Sequence, residues 1–396
     1  MITMNNLCPE HLPVSLVIDL DRLAYNVRAL KKKIGSACSL MAVVKADGYG
    51  HGAVPIAQTV LENGATQLAV NLISEAAELR AAGIAAPILI LGGSSFAACE
   101  QIVEQRFSVL ISDESPLAAL AAAAQRQNRV ALVQLKVDTG MGRLGCAVAD
   151  FLSLSQKVKE NPWLRLEGVL SHFPLADWAD KGYTRAQIQL FHSLVEQLYQ
   201  ADIRPEFVHI ANSAAVIDLP EVPGNLVRTG IAVYGLYPSA DNDRCLGLKA
   251  VLSFQCQVVF VKKVPAGTAL CYGHTYTTEQ DTVLAVIPVG YVHGLSRALS
   301  NLGEVLIRGV RCPIRGRVCM DSTMVEVPFD DLQAGEEVML IGRQGTDEIK
   351  VDEWSRQLNT INYEILTSLS SRIPRLYLKH GKLAKVRHLE MIYEAV

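Results

Sequence analysis

From Leu40 to about Leu236 the chain alternates short aliphatic runs with longer segments of helical period, and no other feature narrows its fold as much. The runs are Leu40–Val44, Leu68–Leu72, Ile88–Leu91, Val109–Ile111, Val130–Val137, Leu166–Leu170, Phe207–Ile210 and Ile231–Tyr234, eight in all. Between them lie Ser74–Ala82, Phe96–Gln105, Pro116–Gln127, Phe151–Glu160 and Thr184–Gln200, several opened by a Ser, Asp or Thr suited to capping a helix. Apolar runs this short and continuous fit parallel strands buried on both faces. Eight βα repeats in about 200 residues predict a TIM (β/α)8 barrel. An open doubly wound sheet would carry a GxGxxG turn after its first strand, and none is there. Ahead of the barrel, Leu16–Leu20 reads as a strand and Asp21–Ile34 as an amphipathic helix with a basic end.

Around Pro238–Leu246 the pattern changes. A polar stretch, PSADNDRC, gives way to β-branched alternation in FQCQVVFVKKV, then to short runs at TVLAVIPV, EVLIRG, TMVEV and EVMLIG with Gly, Pro and Asp turns between them. This predicts two domains, 1–245 as the barrel and 246–396 as a mostly antiparallel β domain. The second ends in a helical segment, Val351–Ser370, and a strand at Arg375–Leu378.

A formal charge of −3 asks for neither nucleic acid nor an anionic membrane as partner. The nine cysteines form no CxxC pair and no Cys/His cluster of zinc spacing, which predicts free thiols in a reducing compartment, without metal. The first apolar stretch, Val14–Leu20, is broken by Asp19, and no later run reaches the roughly 20 apolar residues of a spanning helix. The expected location is the cytoplasm.

In a barrel the chemistry gathers at the carboxyl ends of the strands. Lys45 ends the first run in SLMAVVKADGYGHG, half desolvated by Met41, Val43 and Val44, which lowers an amine's pKa and suits it to covalent attachment to a carbonyl. A lysine that merely snorkels out of a strand end would look the same in isolation. KVDTGMGRLG sets Lys136 and Arg143 on a glycine-rich loop, where the arginine fork suits a carboxylate or phenolate. SHFPLAD supplies His172 and Asp177. HIANSA and RTGIAVYG follow the last two strands, where barrels often bind phosphate, and offer the Ser213 hydroxyl, the Gly230 and Ile231 amides and Arg228. In the β domain, CYGHTY, PVGYVHGLSR and GRVCMD place tyrosines and arginines beside glycines, a pattern that ordinary turns also produce.

These strings, in this order from about Val14 to Leu378, closely resemble the alanine racemases, enzymes that use pyridoxal 5'-phosphate. The resemblance implies that Lys45 is the Schiff-base lysine and one catalytic base, and Tyr272 the other. It implies that Tyr49, Ser213, Gly230, Ile231 and Tyr363 contact the cofactor phosphate, with Arg375 close to Tyr363 in the pattern. Arg228 would bond to the pyridine nitrogen, and His172 to the catalytic tyrosine of a partner subunit. Arg143, Met320 and Asp321 would meet the substrate carboxylate, while Asp177, Tyr291, Arg297 and Arg317 would line an access corridor. Lys136 matches a lysine that carries a carbamate and orients Arg143; a plain or ion-paired lysine fits the string equally well. The implied activity is interconversion of L- and D-alanine by two-base α-proton transfer, supplying D-alanine for bacterial peptidoglycan, with serine as an open secondary substrate. The implied assembly is a head-to-tail homodimer in which Lys45 of one subunit meets Tyr272 of the other. A carrier of the cofactor would not need residues 250–396. A decarboxylase on this fold usually sets a carboxylate, not an arginine, at the pyridine nitrogen. The chain departs from the pattern at Gly48, usually Ala or Asn, and at Val292-His293, more often Ala-Asp.

Overall fold

The structure, a computed structural model, describes residues 12–92, 98–220 and 223–388. Its described residues divide into two units, one of residues 22–49 and 53–249, the other of 12–21, 50–52 and 250–388.

The first unit is built on eight parallel strands: Ser39–Val43, Gln67–Val70, Ile88–Ile90, Ser108–Ile111, Ala131–Lys136, Leu164–Leu170, Phe207–His209 and Leu226–Thr229. Each pairs with the next up to the seventh, and the eighth pairs with the first, so the barrel is closed but for the seventh and eighth strands. Leu40, Met41, Leu68, Val109, Val133, Val169 and Val227 are fully buried, each worth roughly 1.5–3 kcal/mol of transfer free energy. The helix Leu20–Ile34 precedes the barrel, with Asp21 in its first turn and Lys31, Lys32 and Lys33 in its last, signs that complement its dipole.

The eighth strand is the one misplaced by the sequence pattern. Ile231–Tyr234 is not a strand but a buried turn closed by bonds from Val233 N to Gly230 O (2.9 Å) and Tyr234 N to Ile231 O (3.1 Å). A turn wrapped on all sides by protein needs the same apolar residues as a buried strand, so the run alone does not separate them. Helices at Ala53–Glu62 and Ser213–Asp218 lie beyond those the periodicity picks out. Of the helix expected at Phe96–Gln105, Cys99–Glu104 is present, while 96 and 97 lie outside the described residues.

In the second unit one sheet runs in the order Val310–Pro313, Glu304–Ile307, Glu337–Gln344, Leu252–Gln257, Val14–Asp19, Arg375–Lys379, Lys382–Arg387, with Asp347–Ile349 added to Glu337–Gln344. All pairs are antiparallel except Val14–Asp19 with Arg375–Lys379. The strand near the amino terminus, expected within 1–245, thus belongs to the sheet of the other unit, held through Leu16 and Ile18, which are fully buried. FQCQVVFVKKV divides between two sheets, because Phe260–Val264 pairs with Thr282–Ile287, itself paired with Thr323–Val327. Val351–Ser370 breaks into Val351–Gln357 and Asn362–Ser368 at Asn359, whose φ of 51° is left-handed. Trp354 of the first piece meets Phe254 edge-on with ring centroids 6.4 Å apart.

Candidate active site

Lys45 follows the first barrel strand, and the four residues after it all take left-handed backbone: Ala46, Asp47, Gly48 and Tyr49 have φ of 52°, 53°, 59° and 52°. Three of them are not glycine, and each costs about 1–2 kcal/mol in this conformation. Side chains from the same unit hold the turn. The Glu75 carboxylate accepts from Ala46 N at 2.6 Å and, through its other oxygen, from Asn71 N and Leu72 N at 2.7 and 2.9 Å. Asp47 accepts from Ala53 N at 2.9 Å, at the start of the next helix. The turn leaves the Lys45 amine without a hydrogen bond or ion pair among the described residues. Burial and the Arg143 guanidinium push that amine below its ordinary pKa, against a smaller opposing pull from Glu75.

Arg228, on the eighth strand, is buried with no carboxylate beside it. Its Nη1 donates to His209 Nδ1 (2.7 Å) and His209 O (3.2 Å), its Nη2 to Ser171 O (2.7 Å), His172 Nδ1 (3.2 Å) and Ile210 O (3.4 Å). Its Nε makes no hydrogen bond among the described residues, so one N–H is left over. Burial lowers even this guanidinium to about 10. Both imidazoles are held well below the usual histidine range. For His172 the causes are burial, then Arg228, Arg143, Lys136 and Lys45; for His209, burial and Arg228. A neutral histidine whose Nδ1 accepts must carry its proton on Nε2.

Ser213 opens the helix Ser213–Asp218, which Asn212 caps by accepting from Ala215 N at 3.1 Å. Its hydroxyl accepts from Gly230 N (3.0 Å) and Ala232 N (3.4 Å). A Cβ on Gly230 would lie 2.5 Å from the Tyr49 hydroxyl, so a side chain there would displace Tyr49. Tyr49 packs on Tyr234, centroids 4.9 Å apart, and burial pushes its phenol to about 12, which keeps it an O–H donor at neutral pH. Ile231 follows Gly230 in the same buried turn. The Tyr49 and Ser213 hydroxyls and the Ile231 amide, with no acid among them, are donors of the kind an anion such as phosphate fits.

The loop after the fifth strand is shaped by Asp138, which accepts from Gly140 N, Met141 N and Gly142 N at 2.9, 2.8 and 2.9 Å. Burial raises its carboxyl pKa, but these amides and Lys136 together hold it below the ordinary value. Lys136 is buried and donates to Leu144 O at 2.6 Å, while burial, Arg143 and Arg228 push its amine down to about 8. Arg143 stands exposed at the loop's end, close enough to act electrostatically on Lys45, Lys136 and His172. Lys45, Lys136, Arg143 and Arg228 therefore act on one another and on the neutral His172 as one basic cluster. Asp177 lies in the loop after the sixth strand, half-buried.

The other expected site residues belong to the second unit. Tyr272 rides on the connection between the paired strands Ala269–Leu270 and Tyr276–Thr277 and is 73% exposed. Arg317 lies against Gly273, so close that a Cβ there would sit 3.2 Å from its guanidinium carbon. Met320 is 53% exposed, and Asp321 pairs with Arg372 at 3.7 Å. Tyr291 and Arg297 lie on exposed single turns. His293 turns its Nδ1 back to accept from Gly290 N at 3.2 Å, and burial and Arg372 lower its pKa against a smaller pull from Asp321. Tyr363 is half-buried on Asn362–Ser368, and Arg375 is buried, donating to Gly50 O, Ser370 O, Ile373 O and Leu369 O.

Glu75 escapes a reading of the sequence because its only mark is ordinary: a glutamate at the third position of a helix, accepting from the amides of Asn71 and Leu72 just ahead of that helix. His209 stands within HIANSA but carries no sign of its bond to Arg228. Among the described residues no group of His, Cys, Asp and Glu could hold a metal ion, and no helix is long and apolar enough to cross a membrane.

The family models described as "Alanine racemase, N-terminal domain" and "Alanine racemase, C-terminal domain" match residues 18–238 and 251–377. The chain is 47% identical to an alanine racemase from Desulfosudis oleivorans, an alignment covering 93% of this chain and 97% of that one. It is 41% identical to an alanine racemase from Halothermothrix orenii over 92% and 97% of the two chains. Among solved structures, alanine racemase from Bacillus anthracis with bound L-Ala-P superposes with a TM-score of 0.91 at 36% identity, covering 96% of this chain and 99% of the other. Alanine racemase from Streptomyces lavendulae gives 0.88 at 38% identity, over 93% and 97%.

Proposed function

The chain belongs to the alanine racemase family, and from that premise we propose that it is a pyridoxal-phosphate-dependent isomerase that interconverts L- and D-alanine. The observation that carries the reading is Arg228, a buried cation bonded to two neutral imidazoles and to carbonyls, with no acid near it. A guanidinium has no proton to give up near neutral pH. Arg228 would set its remaining N–H at the pyridine nitrogen and leave that nitrogen unprotonated, which favours simple proton exchange over transamination.

When bound, pyridoxal phosphate supplies a carbonyl carbon for covalent attachment and a ring that delocalises negative charge from the α-carbon. The residues fit it. Lys45 offers an untethered amine of lowered pKa. Tyr49, Ser213, Gly230 and Ile231, with Tyr363, would hold the phosphate. Arg143 would take the substrate carboxylate, along with Met320 and Asp321. Asp177, Tyr291, Arg297 and Arg317 would line the approach. Lys136, with its amine at about 8, keeps a neutral fraction at pH 7 able to add carbon dioxide, and the resulting carbamate would brace Arg143.

One residue fixed on one side of a planar carbon can return a proton only to that side, so inversion needs groups on both faces. Lys45 would serve the proton of the D-enantiomer. Tyr272 would serve that of the L-enantiomer, and in a head-to-tail homodimer it comes from the partner subunit. The His172 Nε2–H, left free because Nδ1 is taken by Arg228, is the donor that would favour the tyrosine's phenolate. The product would feed peptidoglycan synthesis in the cytoplasm, and serine differs from alanine by a single hydroxyl that a small pocket rejects only modestly.

The test is α-proton exchange in deuterated water. Tyr272→Phe should bind cofactor, lose most racemisation in both directions, and keep exchange on D-alanine far better than on L-alanine. Equal loss for the two enantiomers, or undiminished racemisation, removes Tyr272 from the role.

A further inference from the structure

The contact between Arg228 and His209 does not end at the imidazole. His209 Nε2 lies 2.9 Å from Gln134 Oε1, Gln134 Nε2 donates to Glu167 Oε2 at 2.8 Å, and Ser108 Oγ donates to the same oxygen at 2.5 Å. Ser108, Gln134, Glu167, His209 and Arg228 come from five consecutive strands of the barrel, the fourth to the eighth. All five are buried, and an unsatisfied polar group there costs about 1–3 kcal/mol.

The backbone is shaped to make this contact. Val133 pairs with Leu166 but Gln134 pairs with Gly168, so Glu167 is the extra residue of a β-bulge. A bulge re-aims one side chain, and here the re-aimed residue is a carboxylate turned toward Gln134. Its neighbour is bare as well, and a Cβ on Gly168 would lie 3.2 Å from the Gln134 carboxamide carbon, close enough to press on the amide. Irregular pairing and a glycine at one point of an otherwise regular sheet mark a built contact.

We propose that Glu167 and Gln134 are positioning residues that fix the tautomer of His209, and through it the orientation of Arg228. The direction of every hydrogen bond follows from the first. A carboxylate oxygen that already takes the Ser108 hydroxyl accepts the Gln134 amide N–H. The amide therefore turns its oxygen to His209, that oxygen takes the Nε2 proton, and Nδ1 is left as a lone pair facing the Arg228 guanidinium. With the amide reversed, His209 would carry its proton on Nδ1, pointed at an arginine N–H. Two donors would then face each other at the distance where 2.7 Å now separates donor and acceptor. Burial and Arg228 keep the ring neutral, so tautomer rather than charge is what the pair controls. The consequence for turnover rests on the racemase reading, but the tautomer itself does not.

The experiment uses the purified protein as isolated, labelled with 15N histidine, and reads His209 by long-range proton–nitrogen correlation, its signals assigned by their loss in His209→Asn. The expected wild-type result is a single neutral Nε2–H tautomer. In Glu167→Gln the new amide can donate to Gln134 Oε1 and reverse it, so the signal should move to Nδ1–H. In Gln134→Met, which keeps the length and removes both polar atoms, Arg228 still faces Nδ1 while the Nε2 proton loses its acceptor, so the ring should stay Nε2–H with its Nε2 signal shifted. A wild-type His209 that is Nδ1–H or doubly protonated overturns the proposal without any variant, and so does an unchanged Nε2–H signal in either variant that folds. A protein that shows the expected shifts yet exchanges no α-proton of alanine would retain this inference and refute the activity.

Discussion

His172 and His209 both turn Nδ1 to Arg228, and both are held well below the usual histidine range, burial leading in each case. This has a sign in stability. A histidine whose folded pKa is depressed refuses a proton that the unfolded chain accepts once pH falls below about 6.5, so its contribution is complete above that value and is lost on acidification. Two such residues predict a fall of up to about 2.7 kcal/mol per pH unit below pH 6.5. Guanidinium midpoints at pH 7.0 and 5.5 measure it, and His209→Gln should remove about half of the slope. A slope unchanged in that variant would mean that His209 titrates normally. Lysine chemistry at the site is governed the same way: burial lowers Lys45 and Lys136 first, and the neighbouring guanidinium of Arg143 lowers them further. That coupling is invisible in the sequence, where Lys45, Lys136 and Arg143 stand in strings about ninety residues apart.

At the scale of the element, the left-handed turn at 46–49 is the costly feature, and Glu75 is what keeps it. Truncation to alanine leaves the amides of Ala46, Asn71 and Leu72 without their acceptor, a loss of about 2–3 kcal/mol once water replaces part of it. Glu75→Ala should therefore melt earlier than wild type and, with its carboxylate gone, take the Lys45 amine lower still; retention of the full melting temperature would show that the turn holds itself. The cradle proposed for the cofactor phosphate makes a second prediction. Gly230→Ala puts a methyl 2.5 Å from the Tyr49 hydroxyl, so cofactor affinity, followed by visible absorbance on titration, should fall at least about tenfold while the barrel still folds. Seven of the eight barrel strands were legible because parallel strands buried on both faces are spelled in uninterrupted aliphatic residues. The eighth was not, because Ile231–Tyr234 is equally apolar for another reason, the burial of a turn. The residues at strand ends were legible by type, Lys45, Arg143, His172, Ser213 and Arg228 among them. Their supports, Glu75, Gln134 and Glu167, were not, since each works through a partner on another strand or helix.

For the whole molecule, the residues implied as the two bases lie in different units of the chain, Lys45 in the barrel and Tyr272 on a short ribbon of the β unit with most of its surface open. If each site of a two-fold dimer draws Lys45 from one subunit and Tyr272 from the other, a defect in either base can be separated from a defect in the other by mixing chains. Lys45→Ala alone and Tyr272→Phe alone each disable both sites of their own dimers. A mixed dimer is different. One of its sites receives both substitutions, while the other receives the intact Lys45 of the Tyr272→Phe chain and the intact Tyr272 of the Lys45→Ala chain. Random reassortment of equal amounts makes half of the dimers mixed, and half of their sites whole, so activity should return to about a quarter of wild type after the chains are exchanged. The time course of that return reports how fast subunits separate. If instead each site is completed within one chain, every site in the mixture keeps a lesion and the activity stays at the level of the separate variants. Measuring racemisation before and after dilution and reassociation of the two variants decides between these outcomes.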